Sequence, residues 1–384
     1  MISFEYFTKA QAIEWQRSHP VDPDDTLTDM RLRHYEHADM EQRIGIFALE
    51  NGRIVGANFF QLCPLLVDGE LIQCVASGNL FVAPEYRPRG VGTFLKMHVL
   101  KLGYPQISSG VSPSMQKVYD AWNAYTKVDA SPVYTLPVTP FGVLRVSRMT
   151  SERVPPRDRG RWDLLKYLGR NAASLAGLYR AGGDVHVHAP DQATDRVAAL
   201  LRSERFPIQV PWNRTLVTRA LRAEDAKARA WLVSARDESG ATATHLVSGY
   251  LRETTVRGYG SSQRRIHEFH LTEIFPPVRS ERVAHGCLGV VASRAGGLGA
   301  AVVHVYAMTQ ALRSVCERSR LESFFRKCVY IAPNTKDERV DTFMRNPQNW
   351  WCRIRNEGQL QENALAREGA LHSGHVSELP DMIY

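Results

Sequence analysis

The sequence has no CxxC pair: its six cysteines, Cys63, Cys74, Cys287, Cys316, Cys328 and Cys352, are scattered along the chain. That spacing excludes a cysteine-rich zinc module and a small disulfide scaffold, and it fits a chain that works in a reducing cytoplasm. The opening MISFEYFTKAQAIEW lacks the basic-then-apolar pattern of a targeting segment. No long apolar run is uninterrupted either, since the region from Cys287 to Met308 is broken by Arg294, His304 and several glycines. No membrane span is therefore expected. Low-complexity tracts are lacking, and with 44% hydrophobic and 23% charged residues wholesale disorder is excluded.

What the chain does have is length and a basic surplus. At 384 residues it is expected to form two domains with a connector. Its 48 Lys and Arg against 40 Asp and Glu leave +8, which favours an anionic partner: a phosphorylated cofactor, nucleic acid or an acidic carrier protein. The basic residues are too dispersed for a nucleic-acid face, so no nucleic acid is expected.

Residues 5–40 read as one or two short amphipathic helices, with caps at Asp22 to Asp25. Ile44 to Leu49, Asn51-Gly52 and Ile54 to Phe60 form a hairpin signal, because Asn-Gly tolerates the positive φ of a tight turn. Asp68-Gly69 supplies a second turn, joining Leu62 to Val67 with Leu71 to Val82. Gly92 to Leu102, with Phe94, Leu95, Met97, Val99 and Leu102, predicts a buried helix; Gln106 to Val111 predicts a strand; Ser112-Pro113 opens another helix. The charged, proline-bearing stretch from Thr150 to Gly160 and a helix over Trp162 to Tyr179 form the connector, residues 150–183. From Val185 the pattern resumes: helix to Arg202, strands at Ala228 to Ala235, His245 to Leu251 and Ile266 to Phe275, helix at Glu281 to Ser293, strand at Ala301 to Met308, helix at Gln310 to Ser319. The element order repeats, which implies a structural duplication over residues 1–149 and 184–384. The fold class is α/β, each copy a mixed, mostly antiparallel sheet flanked by helices.

Most chemistry is expected of Leu80-Phe81-Val82-Ala83-Pro84-Glu85-Tyr86-Arg87-Pro88-Arg89-Gly90-Val91-Gly92-Thr93-Phe94-Leu95. It runs strand, loop, helix. Two basic residues and two glycines at a helix N-terminus aim backbone N–H groups and the positive end of the helix dipole at a pyrophosphate. The pattern Arg87-x-x-Gly90-x-Gly92 resembles the acyl-CoA-binding motif of the GNAT superfamily of N-acetyltransferases. Ser112 and Tyr119, seven apart, resemble that family's next conserved segment, although Asn123-Ala124 stand where its Gly-Phe is usual.

The resemblance, which covers about Glu41 to Trp122, implies a donor site for acetyl-CoA or another acyl-CoA formed by Leu80, Phe81, Val82, Arg87, Pro88, Arg89, Gly90, Val91, Gly92, Thr93 and Ser112. Strands Leu80 to Val82 and Gln106 to Val111 would splay around the pantetheine arm. A backbone N–H near Val82 would face the thioester oxygen, and Tyr119 would give a proton to the departing thiolate. A general base for the amine is sought in His34, Glu36, His37, Asp39 and Glu70, and His34 and Glu70 are taken as candidates. In some tandem members the chain-terminal carboxylate serves, which makes Tyr384 a remote alternative.

His267-Glu268-Phe269-His270 is not read as a zinc motif, because positions i and i+3 of a strand face opposite ways, and no metal is expected. Gly296-Gly297-Leu298-Gly299 follows a helix and reads as its cap. The second half has Pro276-Pro277-Val278-Arg279-Ser280 where a phosphate loop belongs, without glycine, so it is expected to be a degenerate copy without a CoA site. The expectation is an acyl-CoA-dependent N-acyltransferase acting on a small primary amine. An acyl carrier protein as donor, and a non-catalytic binding or scaffold protein, stand as rivals.

Overall fold

The computed structural model describes residues 1–18, 40–109, 111–153, 163–181, 185–203, 206–209, 212–224, 228–257, 263–335, 337–350 and 382–383. Both expected tight turns form as read. Asn51 and Gly52 have φ of 53° and 77°, and Asp68 and Gly69 of 49° and 87°, the paired positive values that match strand twist. They join β2 (Arg43–Glu50), β3 (Arg53–Val67) and β4 (Glu70–Val82) into an antiparallel meander. The expectation of helix from residue 5 is corrected: β1 (Ile2–Thr8) pairs antiparallel with β2, and helix α1 starts only at Lys9 and runs to Ser18. Alternation explains it, since Ile2, Phe4 and Tyr6 lie on one strand face and pack on the same core as helix α2 (Val91–Leu100).

Helix α2 also turns differently from the reading above. Val91, Leu95 and Val99, four apart, face the sheet together with Lys96, while Phe94 and Met97 are 49% and 41% exposed. The i, i+4 stripe wins over hydrophobicity alone. Then come β5 (Gln106–Ser109), α3 (Pro113–Ala121), β6 (Thr126–Pro137), α4 (Pro140–Arg153) and α5 (Asp163–Ala181).

The second half holds β7 (Val185–Val187), α6 (Pro190–Ser203), β8 (Ile208–Gln209), β9 (Trp212–Asn213), α7 (Arg214–Leu221), β10 (Ala228–Arg236), β11 (Thr242–Arg257) and β12 (Gln263–Phe275). It continues with α8 (Glu281–Gly297), β13 (Ala300–Tyr306), α9 (Gln310–Arg318), β14 (Glu322–Ala332) and α10 (Glu338–Arg345), and β15 (Met382–Ile383) pairs with β9.

The long strands form one continuous sheet in the order β1-β2-β3-β4-β5-β14-β6-β13-β12-β11-β10-β7, with β8 added beside β3. Most neighbours are antiparallel; β4 with β5 and β12 with β13 are parallel, each pair joined through a helix. At the centre the halves trade strands. β14 pairs with both β5 and β6, and β6 pairs with β13. The largest core cluster lies under α8, where Cys287, Leu288 and Val291 meet Phe269, Leu271, Val303 and Val305 from the sheet. Among the described residues no helix is long and apolar enough to cross a membrane.

Candidate active site

Strands β4 and β5 are paired only through Val75–Gln106, Ala76–Ile107 and Ser77–Ser108. Beyond Ser77, β4 continues to Val82 with β3 on its other side, Gly56 lying opposite Val82. Among the described residues no strand pairs with the opposite edge of β4 from Gly78 to Val82. The two parallel strands thus part at one place, leaving an edge able to bond an extended ligand.

At the end of β4 the chain makes a 3-10 turn over Pro84–Arg89 and reverses at Gly90, whose φ of 72° caps the turn and opens α2. An L-residue is disfavoured in that conformation. The N–H groups of Thr93 and Phe94 donate to the Gly90 carbonyl at 2.9 and 3.1 Å, so those of Val91 and Gly92 precede the helical ladder and point out of its positive end. A Cβ at Gly92 would stand 3.4 Å from Val82 Cγ2 and 3.6 Å from Leu80 Cδ2. The helix start therefore rests on the end of β4, which brings Leu80, Phe81, Val82, Gly90, Val91, Gly92 and Thr93 together.

Both arginines of the loop are anchored. Arg87 Nε donates to the Val82 carbonyl at 3.0 Å, tying loop to strand while the residue stays exposed. Arg89 pairs with Glu50 at 3.2 Å and lies 5.1 Å from the centre of the Tyr86 ring; Tyr86 Oη donates to the same carboxylate at 2.7 Å. Those two bonds, Tyr86 first and Arg89 next, hold Glu50 below the usual carboxylate range.

The other wall comes from α3. The Ser112 hydroxyl accepts the Met115 N–H at 3.4 Å and lies 3.1 Å from Ser114 Oγ, so this exposed residue serves as the helix cap. The helix turns Tyr119 inward to 1% exposure, with its ring stacked 4.0 Å from Tyr125, edge-on to Tyr330 at 5.1 Å, and its hydroxyl 3.3 Å from Ser108 Oγ. Burial, and then the neighbouring Tyr119, push the Tyr125 hydroxyl well above the ordinary phenol value. From α2, Lys96 reaches the same place. It is 3% exposed, its ammonium donates to Ser77 Oγ, and it lies 5.8 Å from the centre of the Tyr119 ring. Ser77, Ser108, Lys96 and Tyr119 therefore converge on the last pair before the strands part.

Lys96 is absent from the sequence reading. A lysine beside an apolar stripe ordinarily extends its amine to water. Here its neighbour Leu95 lies at the centre of the buried stripe, and the amine turns beneath the helix instead. The only signal was its place beside that stripe, one residue past Leu95 and three before Val99.

Glu70 is not brought to this site. It lies exposed at the β3–β4 turn, seven residues or about 23 Å of strand from Ser77. His34, Glu36, His37, Asp39 and Tyr384 lie outside the described residues. In the second half, the Ser280 hydroxyl accepts the Val283 N–H at 3.1 Å and caps α8, after the prolines 276 and 277. The space between the parting ends of β12 and β13, lined by Leu271, Glu273, Val278, Tyr306 and Leu312 among others, measures about 10 Å³. That is room for one water at most.

No family model matches the chain, and no curated protein matches it in sequence. Solved structures do. Saccharomyces cerevisiae N-myristoyltransferase, crystallised with myristoyl-CoA and inhibitors, superposes with a TM-score of 0.53 at 10% identity, covering 86% of this chain and 80% of that one. The fold is GNAT-like. A second structure of the yeast enzyme with bound myristoyl-CoA gives 0.51 at 10% identity, over 86% and 82% of the two chains. A GCN5-related N-acetyltransferase from Kribbella flavida gives 0.41 at 13% identity, over 86% and 70%.

Proposed function

We propose that the chain is an acyl-CoA-dependent N-acyltransferase that passes an acyl group from the thioester directly to the primary amine of a small molecule. The observation that carries the reading is the parting of β4 from β5 immediately beyond Ser77 and Ser108, at a point that also gathers a buried lysine, a buried tyrosine and the glycine turn of α2. The β4 backbone at Gly78 and Leu80, on the side where β5 turns away, would bond the amide groups of a pantetheine arm. The pyrophosphate would lie on the N–H groups of Val91 and Gly92 and beside the Arg87 guanidinium.

The chemistry follows from that pose. The amine nitrogen attacks the thioester carbonyl, the developing oxyanion takes a hydrogen bond from a β4 backbone N–H, and the C–S bond breaks. The amine, attacking as the free base, sheds its extra proton to water as the amide forms; the thiolate leaves toward Ser108, where the Tyr119 hydroxyl protonates it and the resulting phenolate recovers a proton from water. The Lys96 ammonium favours the negative charge while it lasts. Holding donor and acceptor in one cleft contributes the orientation term.

The loop at Pro276 and Pro277, two positions without an N–H to offer a phosphate, supports one donor site per chain. In this reading the second half completes the sheet and walls the acceptor side.

Calorimetric titration of the purified chain with acetyl-CoA and a longer acyl-CoA tests the proposal, followed by a thiol-release screen of amines. Binding at one site per chain with amine-dependent thiol release is the expected result. Binding without turnover for any amine would favour the scaffold reading, and no binding at all would overturn the donor site.

A further inference from the structure

Far from the candidate active site, a group of buried polar side chains lies on β12 and β13. His267 and His270 do face opposite ways, the first 47% and the second 8% exposed at the side chain. Glu268 and His270, however, are two apart and share a face. His304 on β13 is the register partner of His270. Three side chains with ligating atoms therefore project from adjacent positions of two paired strands, and Glu268, His270 and His304 are 6%, 6% and 8% exposed.

Their orientation is specific. Both imidazoles turn Nε2 toward one oxygen: Glu268 Oε2 lies 3.5 Å from His304 Nε2 and 4.0 Å from His270 Nε2, and all the candidate ligand atoms fall within 4.8 Å of one another. Ligands about 2.1 Å from a tetrahedral ion stand about 3.4 Å apart, so a small inward shift would close the set. The other ring nitrogens are already held, His270 Nδ1 by Tyr306 Oη at 3.3 Å and His304 Nδ1 by Thr135 Oγ1 at 3.2 Å. Such outer partners fix ring orientation. Arg145 takes the second carboxylate oxygen, Oε1, at 2.5 Å, and Thr254 Oγ1 donates to Oε2 at 3.1 Å. That arrangement allows one-oxygen ligation only. Tyr250 and His304 close on the His270 ring at 4.8 and 4.7 Å.

We propose that Glu268, His270 and His304 bind one divalent transition-metal ion, with zinc the ion best matched to two imidazoles and one carboxylate oxygen. Three protein ligands leave a fourth tetrahedral position open. The ion would also tie the halves together, because Thr135 and Arg145 come from β6 and α4 and the ligands from β12 and β13.

The test uses the full chain, stripped with a chelator and titrated with Zn²⁺ by calorimetry and with Co²⁺ by visible absorption. The expected result is one ion per chain, the intense visible bands of four- or five-coordinate Co²⁺, and a rise in Tm with added zinc. His270→Gln and His304→Gln should each weaken zinc binding at least about 100-fold, and Thr135→Val about tenfold through the outer partner. A second histidine pair, His186 on β7 and His188 just beyond it, with rings 4.6 Å apart, is the competing site. The double variant His186→Ala/His188→Ala should bind as the parent does. Should a glutamine variant fail to fold by circular dichroism, Glu268→Gln and the parental Co²⁺ spectrum decide. Absence of one-to-one binding in the parent, or binding that survives in folded His270→Gln and His304→Gln, would overturn the proposal.

Discussion

Lys96 lies 5.8 Å from the centre of the Tyr119 ring, with its ammonium bonded to the hydroxyl of Ser77. A buried cation with a neutral partner is expensive to keep. Lys96→Met retains the side-chain length and removes the charge, so the variant is expected to fold with a Tm no lower than the parent. If the ammonium stabilises the departing thiolate, kcat for thiol release falls about tenfold or more while donor Kd changes less than about threefold. Scanning calorimetry and steady-state kinetics check both halves. An unchanged kcat would remove Lys96 from the chemistry.

Tyr119→Phe keeps the ring stack on Tyr125 and deletes only the hydroxyl 3.3 Å from Ser108. The expected outcome is a loss of about 100-fold in kcat with acyl-CoA affinity preserved. A loss confined to affinity would make Tyr119 a packing residue of the donor cleft.

The loop makes a different prediction. Arg87→Glu places an anion where the pyrophosphate is expected and gives up the bond to the Val82 carbonyl, so donor Kd should rise at least about tenfold. Gly90→Val forces a β-branched residue to φ of 72° and should cost about 1–2 kcal/mol of stability besides. Calorimetry with acetyl-CoA measures the first and chemical denaturation the second. Equal donor affinity in Arg87→Glu would exclude the proposed phosphate site.

Four histidines, His98, His188, His245 and His285, are held below the ordinary imidazole value, burial being the leading cause at each. Below pH 6.5 the unfolded chain then binds more protons than the native one. Stability is fully present above that value and declines as pH falls, until the native histidines protonate too. His245 is the most enclosed contributor, with Nδ1 2.8 Å from the Pro276 carbonyl. His245→Asn preserves a donor near that position and removes the titration, so it should flatten the fall of Tm between about pH 6.5 and 5. An identical pH profile in the variant would contradict this assignment.

Five of the six cysteines, Cys63, Cys74, Cys287, Cys316 and Cys328, are buried thiols. Burial raises the Cys287 thiol to about 12, and Cys74 is raised first by its bond to Cys63, 3.2 Å away across the β3–β4 ladder. Thiolate is the reactive form. A native thiol titration should therefore leave these five unmodified, and denaturation should release all six. Rapid native modification of two or more would show that the sheet opens readily.

The legible parts of the fold are those written locally. Asn51-Gly52 and Asp68-Gly69 announce their turns through φ, and the second-half strands and helices follow from periodicity to within a few residues at most ends. The turn at Gly90 and the helix that carries Tyr119 were legible for the same reason, through a glycine at a reversed backbone and a Ser-Pro cap. What escaped depends on partners distant in sequence. β6 carries Pro132 and Pro137 and β14 carries Arg326 and Lys327, so neither reads as a central strand. They hold that place because each has a neighbour on both sides supplied by chain about 165–226 residues away. Lys96 escaped because its meaning lies in Ser77 and Tyr119, which only the packing of α2 and α3 on the sheet brings near.

The trade of β6 and β14 has a topological consequence. Each half completes its sheet with a strand of the other, so neither contains the whole of its own hydrogen-bonded ladder. Cutting the chain between Arg153 and Asp163 would leave two polypeptides still interlaced as one particle, and making either alone would expose β5 or β13 as a raw edge. The two halves are in effect obligate partners that share a backbone. A change in one is a change in the other's fold.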